Sequence, residues 1–317
     1  MPGVPLITGA TGFAGGHLLD RLAARGPVHA WAHRGQSRRS TDGAKADSRS
    51  RVAWSAVDLL DRSSVREALA AAHPSVIYHC AGAADVHHAW QAPATALRVN
   101  VLGTHNLFEA LRDLGIQCRV LVTGSALIYR SSLEALDEDA AIGAATPYGI
   151  SKLGQEMTAS ASSVPALLVR PFNHAGPRQS PSYVTSAFAQ QIADIESGQR
   201  EPVVFVGNLD AKRDITDVRD TVRAYEALAE RGRPMRPYNV CSGRAYSMRE
   251  LLDILLSLAR VRVRIELDPS RLRPSDNPLI LGSHARLTAD TGWRPEIPIE
   301  RTLADLLDYW RAVAVAP

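Results

Sequence analysis

Cysteine is scarce. The three in 317 residues, Cys80, Cys118 and Cys241, are odd in number and follow no ligand spacing. They give neither a disulfide framework nor a metal site, and they suit a reducing compartment. Surplus charge is also missing: the formal net charge is +3, too little to argue for a nucleic-acid partner by itself. No uninterrupted apolar run approaches the roughly 20 residues of a membrane span. The opening residues, Met1-Pro2-Gly3-Val4-Pro5-Leu6, lack the basic and apolar blocks of a secretory leader. No internal repeat is visible. These absences lead to the expectation of a cytoplasmic protein with no membrane and no nucleic-acid partner. What is there is ordinary globular material, 45% hydrophobic and 22% charged. The length allows one large domain or two modest ones, with a core that needs no staples.

Residues 4–8 are a short apolar run that ends in Thr8-Gly9-Ala10-Thr11-Gly12-Phe13-Ala14-Gly15-Gly16-His17-Leu18. The pattern predicts a strand, a glycine loop and an amphipathic helix carrying Leu18, Leu19 and Leu22. Gly9, Gly12 and Gly15 recur every three residues. Without a Cβ, such a loop turns tightly and lets its backbone approach a pyrophosphate at the helix N-terminus. A second strand, over 28–32, ends at His33-Arg34. An NAD-specific site would place Asp or Glu near there for the ribose 2′-hydroxyl. This chain has Arg34, then Arg38 and Arg39, and a guanidinium suits the 2′-phosphate of NADPH. A solvated basic loop over 38–51 is the plain alternative for the later arginines.

A third strand, over 51–57, runs into Asp58-Leu59. Asp58 could reach an adenine, or belong to the N-cap region of a helix over 62–72. A strand over 75–79 ends in Cys80-Ala81-Gly82-Ala83, small residues that leave room for a cofactor. His87 and His88 read as rim residues, since no carboxylate or cysteine spacing accompanies them. Residues 93–112 read as one long helix carrying Asn100. A strand over 120–123 ends in Gly124-Ser125, the next helix holds Tyr148 and Lys152, and a strand over 166–169 leads into Arg170-Pro171-Phe172-Asn173. Strand and helix alternate as in a doubly wound parallel sheet. The expected fold is therefore α/β, with a Rossmann sheet built from 1–172 and a returning segment near 214–242. A smaller C-terminal α/β substrate-binding domain is expected mainly over 173–317. It would use strands over 203–207 and 261–267 and a helix over 248–260.

Tyr148 and Lys152 are four residues apart, about one helical turn, so both side chains share a face. A free phenol keeps its proton to about pH 10. A nearby ammonium is expected to lower that value and make the phenol a usable proton donor. Ser125, Tyr148 and Lys152 all fall at the carboxyl edge of the predicted sheet, where open α/β folds bind ligands. A hydroxyl and a phenol can both aim at one carbonyl oxygen, with the lysine behind them.

This set, with Gly9-x-x-Gly12-x-x-Gly15 and Val99-Asn100-Val101-x-Gly103-Thr104, resembles the extended short-chain dehydrogenase/reductase family over nearly the whole chain. Arg170-Pro171-Phe172-Asn173-His174-Ala175-Gly176-Pro177 and the run from Val206 to Asp220 resemble enzymes acting on nucleotide-diphosphate sugars. So do Arg271-Leu272-Arg273-Pro274-Ser275-Asp276 and Thr291-Gly292-Trp293-Arg294-Pro295. The chain looks most like the branch containing GDP-mannose 4,6-dehydratase and GDP-4-keto-6-deoxymannose reductase. The resemblance implies cofactor contacts from Gly9, Thr11, Gly12, Phe13, Gly15, Arg34, Asp58, Leu59, Ala81, Ala83, Asn100, Tyr148, Lys152, Pro171 and His174. It implies that Asn173, Arg213 and Arg273 join Ser125 at the substrate, guanidinium forks suiting a diphosphate. Surface pairing with Asp210 or Asp276 is the alternative for the two arginines. It implies a homodimer through the helices at 100–111 and 148–161, with Leu107, Leu111, Leu153 and Met157 at helical spacing. The alternative is that those leucines pack only on their own sheet.

Dehydratases of this branch carry a glutamate shortly after the catalytic Ser or Thr, as the acid–base group for eliminating water. Here the run is Ser125-Ala126-Leu127-Ile128-Tyr129-Arg130, with Leu127 in that place and Arg130 where the family usually has Gly. Leucine transfers no protons, so dehydration is disfavoured. What remains suits NADPH-dependent reduction of the C4 keto group of a GDP- or dTDP-linked 4-keto-6-deoxyhexose. A 4-epimerase, using the same residues and retaining its cofactor, is the alternative. A cofactor-binding regulatory subunit is a third reading, against which the intact Ser, Tyr and Lys stand.

Overall fold

The structure is a computed structural model that describes residues 3–33, 51–272 and 277–315. Six strands come first: β1 (Leu6–Thr8), β2 (Val28–Ala32), β3 (Val52–Ala56), β4 (Val76–His79), β5 (Arg119–Thr123) and β6 (Ala166–Pro171). The chain then makes β7 (Asn173–Ala175), β8 (Val203–Val206) and β9 (Lys212–Asp217) before β10 (Pro237–Val240) returns and pairs with β6. The resulting sheet is parallel throughout, in the order β10-β6-β5-β4-β1-β2-β3. The order reverses between β1 and β4, which opens the crevice where doubly wound sheets take ligands. This is the expected Rossmann architecture.

Both faces of the sheet are covered, so alternate residues enter two cores. Leu6, Ile77, Val120 and Leu168 pack with Leu107 and Leu111 on one side. Ile7, Tyr78, Leu121 and Leu167 pack with Leu18, Tyr225 and Leu228 on the other. Each fully buried Leu or Ile contributes about 1.5–3 kcal/mol. Leu107 and Leu111 are 0% exposed, so they belong to this core and offer nothing to a dimer face. The exposed apolar side chains of the same helical region and the Pro147–Ser160 helix are instead Leu97, Leu102, Ile150 and Met157.

The single helix expected over 93–112 is interrupted. Helical turns at Pro93–Leu97 and Gly103–Leu114 flank a π-helical turn, Arg98–Leu102, where Gly103 N–H donates to Arg98 O. Such wide turns recur at functional sites. This one holds Asn100 against the loop after β4.

The C-terminal part is a set of small sheets. β11 (Ala245–Ser247) lies antiparallel to β9, while β13 (Leu279–Ile280) and β7 each run parallel to it. β12 (Arg264–Leu267) runs parallel to β8. A third core of Phe188, Ile192, Leu251, Leu255, Leu303 and Leu307 lies among the helices here. The Met248–Ser257 helix opens on a capping box between Ser247 and Glu250. It ends three residues before the expected 260, and Arg260 N–H goes to Glu196 Oε1 instead. Buried Asp214 accepts four hydrogen bonds, from Ser242 N–H and Oγ–H and from the Gly243 and Gly282 amides, so β9 is latched to the turn after β10.

Candidate active site

The glycine loop leaves β1 in the left-handed region, with Gly9 at φ +69°. A Cβ on Gly9 would stand 2.7 Å from the Ala81 backbone, and one on Gly15 would collide with Gly9 O. Loop and helix are therefore closed up on each other and on the end of β4. Gly9, Thr11, Gly12, Phe13, Gly15 and Ala81 come together at the switch crevice as a backbone cradle at a helix N-terminus. Such a cradle fits a dinucleotide pyrophosphate.

Across the crevice, the Phe13 ring stacks on His174, with centroids 5.6 Å apart and planes 4° from parallel. His17 Nε2 lies 2.9 Å from Pro177 O. The segment after β6 is thus tied to the glycine-loop helix, and Pro171 lies at its start, on the last position of β6. Asp58 follows β3 and accepts the Leu60 amide at 2.9 Å. The N-cap of the Arg62–Ala72 helix is Asp61, not Asp58. Leu59 is 9% exposed and joins the core, with its carbonyl held by Asn106. Asn100 clamps Ala83 from both sides, accepting its N–H at 2.8 Å and donating to its carbonyl at 3.2 Å. It also donates to Ser151 Oγ at 2.8 Å, joining this loop to the Tyr148 helix.

That helix, Pro147–Ser160, starts where the sequence dictates. Thr146 Oγ1 accepts the Gly149 amide at 3.0 Å, and Pro147 fills the first helical position. A Cβ on Gly149 would stand 2.5 Å from Leu127 O, so only glycine lets the helix lie this close to the Ser125–Leu127 backbone. Ser125 is buried, and its Oγ accepts the Leu127 amide at 3.1 Å. The Ser125 hydroxyl lies close enough to the Tyr148 phenol to favour its ionised form. The helix is fixed to β6 by a buried fork, Arg170 donating to both Glu156 oxygens at 2.6 and 3.0 Å.

Electrostatics corrects one expectation. The Tyr148 phenol is pushed above its usual pKa, not below it. Burial is the main cause, Tyr183 adds to it, and the Ser125 hydroxyl opposes both. The Lys152 ammonium does not offset this, because it donates elsewhere: to Thr123 O at 2.7 Å and Gln155 Oε1 at 2.6 Å. Burial in turn pushes Lys152 down to about 8.

The substrate candidates are spread more widely. Asn173 is exposed on β7, which runs beside β9, and Arg213 is half-buried on β9. Burial pushes the Arg213 guanidinium down, and it donates to Lys212 O at 2.7 Å. Arg34, Arg38, Arg39 and Arg273 lie outside the described residues. A cavity of about 550 Å³ opens at the β8–β12 pair, lined by Val206, Gly207, Leu209, Arg249 and Leu267 among others. Neither Ser125, Tyr148 nor Lys152 lines it. Sequence reasoning missed Gln155, Thr104 and His79, which reach Lys152 from behind. Helical spacing could have found Gln155, three residues after the lysine and on the same face.

Fold and constellation together define an extended short-chain dehydrogenase/reductase. The chain belongs to the family described as GDP-mannose 4,6 dehydratase, whose model matches residues 6–306. It is similar to GDP-6-deoxy-D-mannose reductase of Pseudomonas aeruginosa, 35% identical over 314 residues that cover 96% of each chain. The solved structure of RMD from that organism, complexed with NADPH, superposes with a TM-score of 0.83 at 33% identity, over 98% of this chain and 99% of that one. UDP-glucose 4-epimerase of Mycolicibacterium smegmatis is 26% identical over 311 residues, 96% of this chain and 98% of that protein. The sequence-level resemblance to the nucleotide-sugar branch holds.

Proposed function

We propose that this chain is an NADPH-dependent reductase of the C4 keto group of a nucleotide-diphosphate 4-keto-6-deoxyhexose. The observation that carries the reading is the close seating of the Tyr148 helix on the Ser125–Leu127 turn, where Gly149 abuts Leu127 O, with buried Ser125 beside the phenol and buried Lys152 one helical turn along. Similarity to the Pseudomonas reductase supports it and favours a GDP-linked substrate over a dTDP-linked one.

NADPH, when bound, supplies the hydride. Gly9, Thr11, Gly12, Phe13 and Gly15 hold its pyrophosphate, with Asp58 and Leu59 at the adenine and Arg34 at the 2′-phosphate. Ala81, Ala83, Asn100, Pro171 and His174 would complete the cofactor site. Tyr148 gives its proton to the C4 oxygen as charge builds there, and Ser125 donates a hydrogen bond to the same oxygen. The phenol is protonated near neutrality, as the reductive direction requires, since that direction consumes the proton. Lys152 would hold the ribose with the proton that its bonds to Thr123 O and Gln155 Oε1 leave free. Asn173, Arg213 and Arg273 hold the diphosphate. The dinucleotide part comprises 1–172 with a return near 214–242, and the substrate part mainly 173–317. Among the described residues no helix is long and apolar enough to cross a membrane. Three free cysteines suit the reducing cytoplasm.

Epimerases among the relatives make 4-epimerisation the second reading. Incubation with a GDP-4-keto-6-deoxyhexose and NADPH separates the readings. Stoichiometric loss of NADPH means reductase, interconversion without net loss means epimerase, and binding without turnover means a regulatory subunit.

Two further expectations belong here. Arg34→Ala should raise KM for NADPH about tenfold or more, the worth of a lost charge-assisted hydrogen bond. KM for NADH should hardly change, and equal effects on both cofactors would overturn the 2′-phosphate role. A homodimer is expected through Leu97, Leu102, Ile150 and Met157, exposed on two helices that meet where Gly154 abuts Val101. Sedimentation of the wild-type chain as a clean monomer at micromolar concentration would contradict it.

A further inference from the structure

Behind the active site runs a buried polar chain that the reaction as described does not use. It begins at Lys152, whose ammonium donates to Thr123 O and to Gln155 Oε1. An ammonium can only donate, so Gln155 must turn its oxygen to the lysine. Its amide nitrogen then faces away and donates to Thr104 Oγ1 at 3.0 Å. Thr104 Oγ1 lies 2.9 Å from His79 Nε2, and His79 Nδ1 lies 2.8 Å from Thr8 Oγ1. Thr8 immediately precedes Gly9 of the glycine loop. Thr8 is 1% exposed, and His79, Thr104 and Gln155 are 0% exposed.

A leucine would fill the Gln155 position at lower desolvation cost. The amide is placed so that each end meets a group of the right polarity. A flipped amide would set N–H against the ammonium, which can only donate.

We propose that Gln155 is a positioning residue: oriented by Thr104 and His79, it fixes the Lys152 ammonium with two of its three protons committed inside the protein and one left for a ligand hydroxyl. This rests on the reading of Lys152 as a member of the reacting set.

The consequence is a pH dependence. The titratable groups that act on Lys152 are His79 and Cys80 at the β4 edge, while Tyr148 lies one turn before it on its own helix. Burial pushes His79 down to about 3 and Cys80 up to about 12, so both are neutral over the working range. Among the described residues no carboxylate is paired with the ammonium. What favours its charged form is two oxygen dipoles, Thr123 O and Gln155 Oε1. Removing one must move the lysine further below the value near 8 that burial already imposes. Activity that needs a charged lysine is lost as pH rises through that value, so the alkaline limb moves to lower pH.

The test compares pH profiles of kcat/KM, and of NADPH binding by fluorescence, for wild type, Gln155→Leu, Gln155→Glu, Thr104→Val and Lys152→Met. Gln155→Leu should move the alkaline limb of both profiles down by about one pH unit, the scale of one hydrogen bond to a charged group. Gln155→Glu should move it up, and Thr104→Val should move it down by less. If Gln155→Leu does not fold, the opposite shifts of the other two variants carry the test. A uniform loss at all pH values, or shifts of the same sign in Gln155→Glu and Thr104→Val, would reduce Gln155 to packing. Full activity in Lys152→Met would overturn the reading of the site instead, whatever the Gln155 variants do.

Discussion

Tyr148→Phe is expected to lower kcat for keto-sugar reduction by about 10²–10⁴-fold, with NADPH bound almost as before. The substitution removes one oxygen and little else. The ring stays, and the helix keeps its start, since the Thr146 cap and Pro147 do not involve the phenol. Ser125 still accepts the Leu127 amide, so the turn that carries it is held. Lys152 keeps both of its hydrogen bonds. What is lost is the proton donor alone, a phenol that burial holds further on the protonated side. The loss should therefore appear in kcat, with the NADPH dissociation constant measured by fluorescence changing less than about threefold, well below the worth of a direct hydrogen bond. A loss of kcat under tenfold would mean that another group or water supplies the proton. A parallel loss of NADPH affinity would mean that the phenol mainly builds the cofactor site.

The parts of this site that the sequence displays are those set by local pattern. A glycine every three residues after an apolar run needs no distant partner to be recognised, nor does a tyrosine one turn before a lysine. Six parallel strands and the return of residues 238–240 to the large sheet follow from alternation of short apolar runs with helical spacing. What escaped is set by tertiary contacts. Asn100 sits on a π-helical turn that no propensity marks, and its purpose is to reach Ala83 and Ser151. Leu107 and Leu111 have the spacing of an interface, but the same stripe serves the core, and only burial tells the two apart. The pKa of Tyr148 moved opposite to expectation because spacing brings the lysine close in sequence while its ammonium is bonded away from the phenol. The Gln155 chain joins residues 8, 79, 104 and 155, which only the closed sheet brings together.

Leu127 carries the largest consequence for the reaction, since elimination of water across C5 and C6 needs a base at C5 and an acid at the departing hydroxyl. A placed proton-transfer group is worth roughly 10²–10⁴-fold, and leucine offers none. Among the described residues, the apolar cluster and the committed carboxylates around it supply no substitute. Leu127 packs beside an apolar cluster of Ala126, Tyr129, Leu136, Phe172, Cys241 and Ile280. The buried carboxylates of this region are committed: Glu156 to the Arg170 fork, and Glu138 to the Asn239 amide at 2.8 Å and to Arg286. Given GDP-mannose and NADP⁺, the purified protein should therefore accumulate no 4-keto-6-deoxy product beyond a stoichiometric trace. Given the preformed ketosugar and NADPH, it should turn over. Leu127→Glu should not restore dehydration by itself. Its carboxyl would enter an apolar cluster, where burial favours the protonated form, at a cost of about 1–3 kcal/mol. The Tyr148 helix cannot move away to make room without breaking the close approach of Gly149 to Leu127 O. Catalytic accumulation of the 4-keto product by the wild-type chain, followed by mass spectrometry, would show that some other side chain does the work of the missing glutamate. The assignment of this chain to reduction alone would then fall.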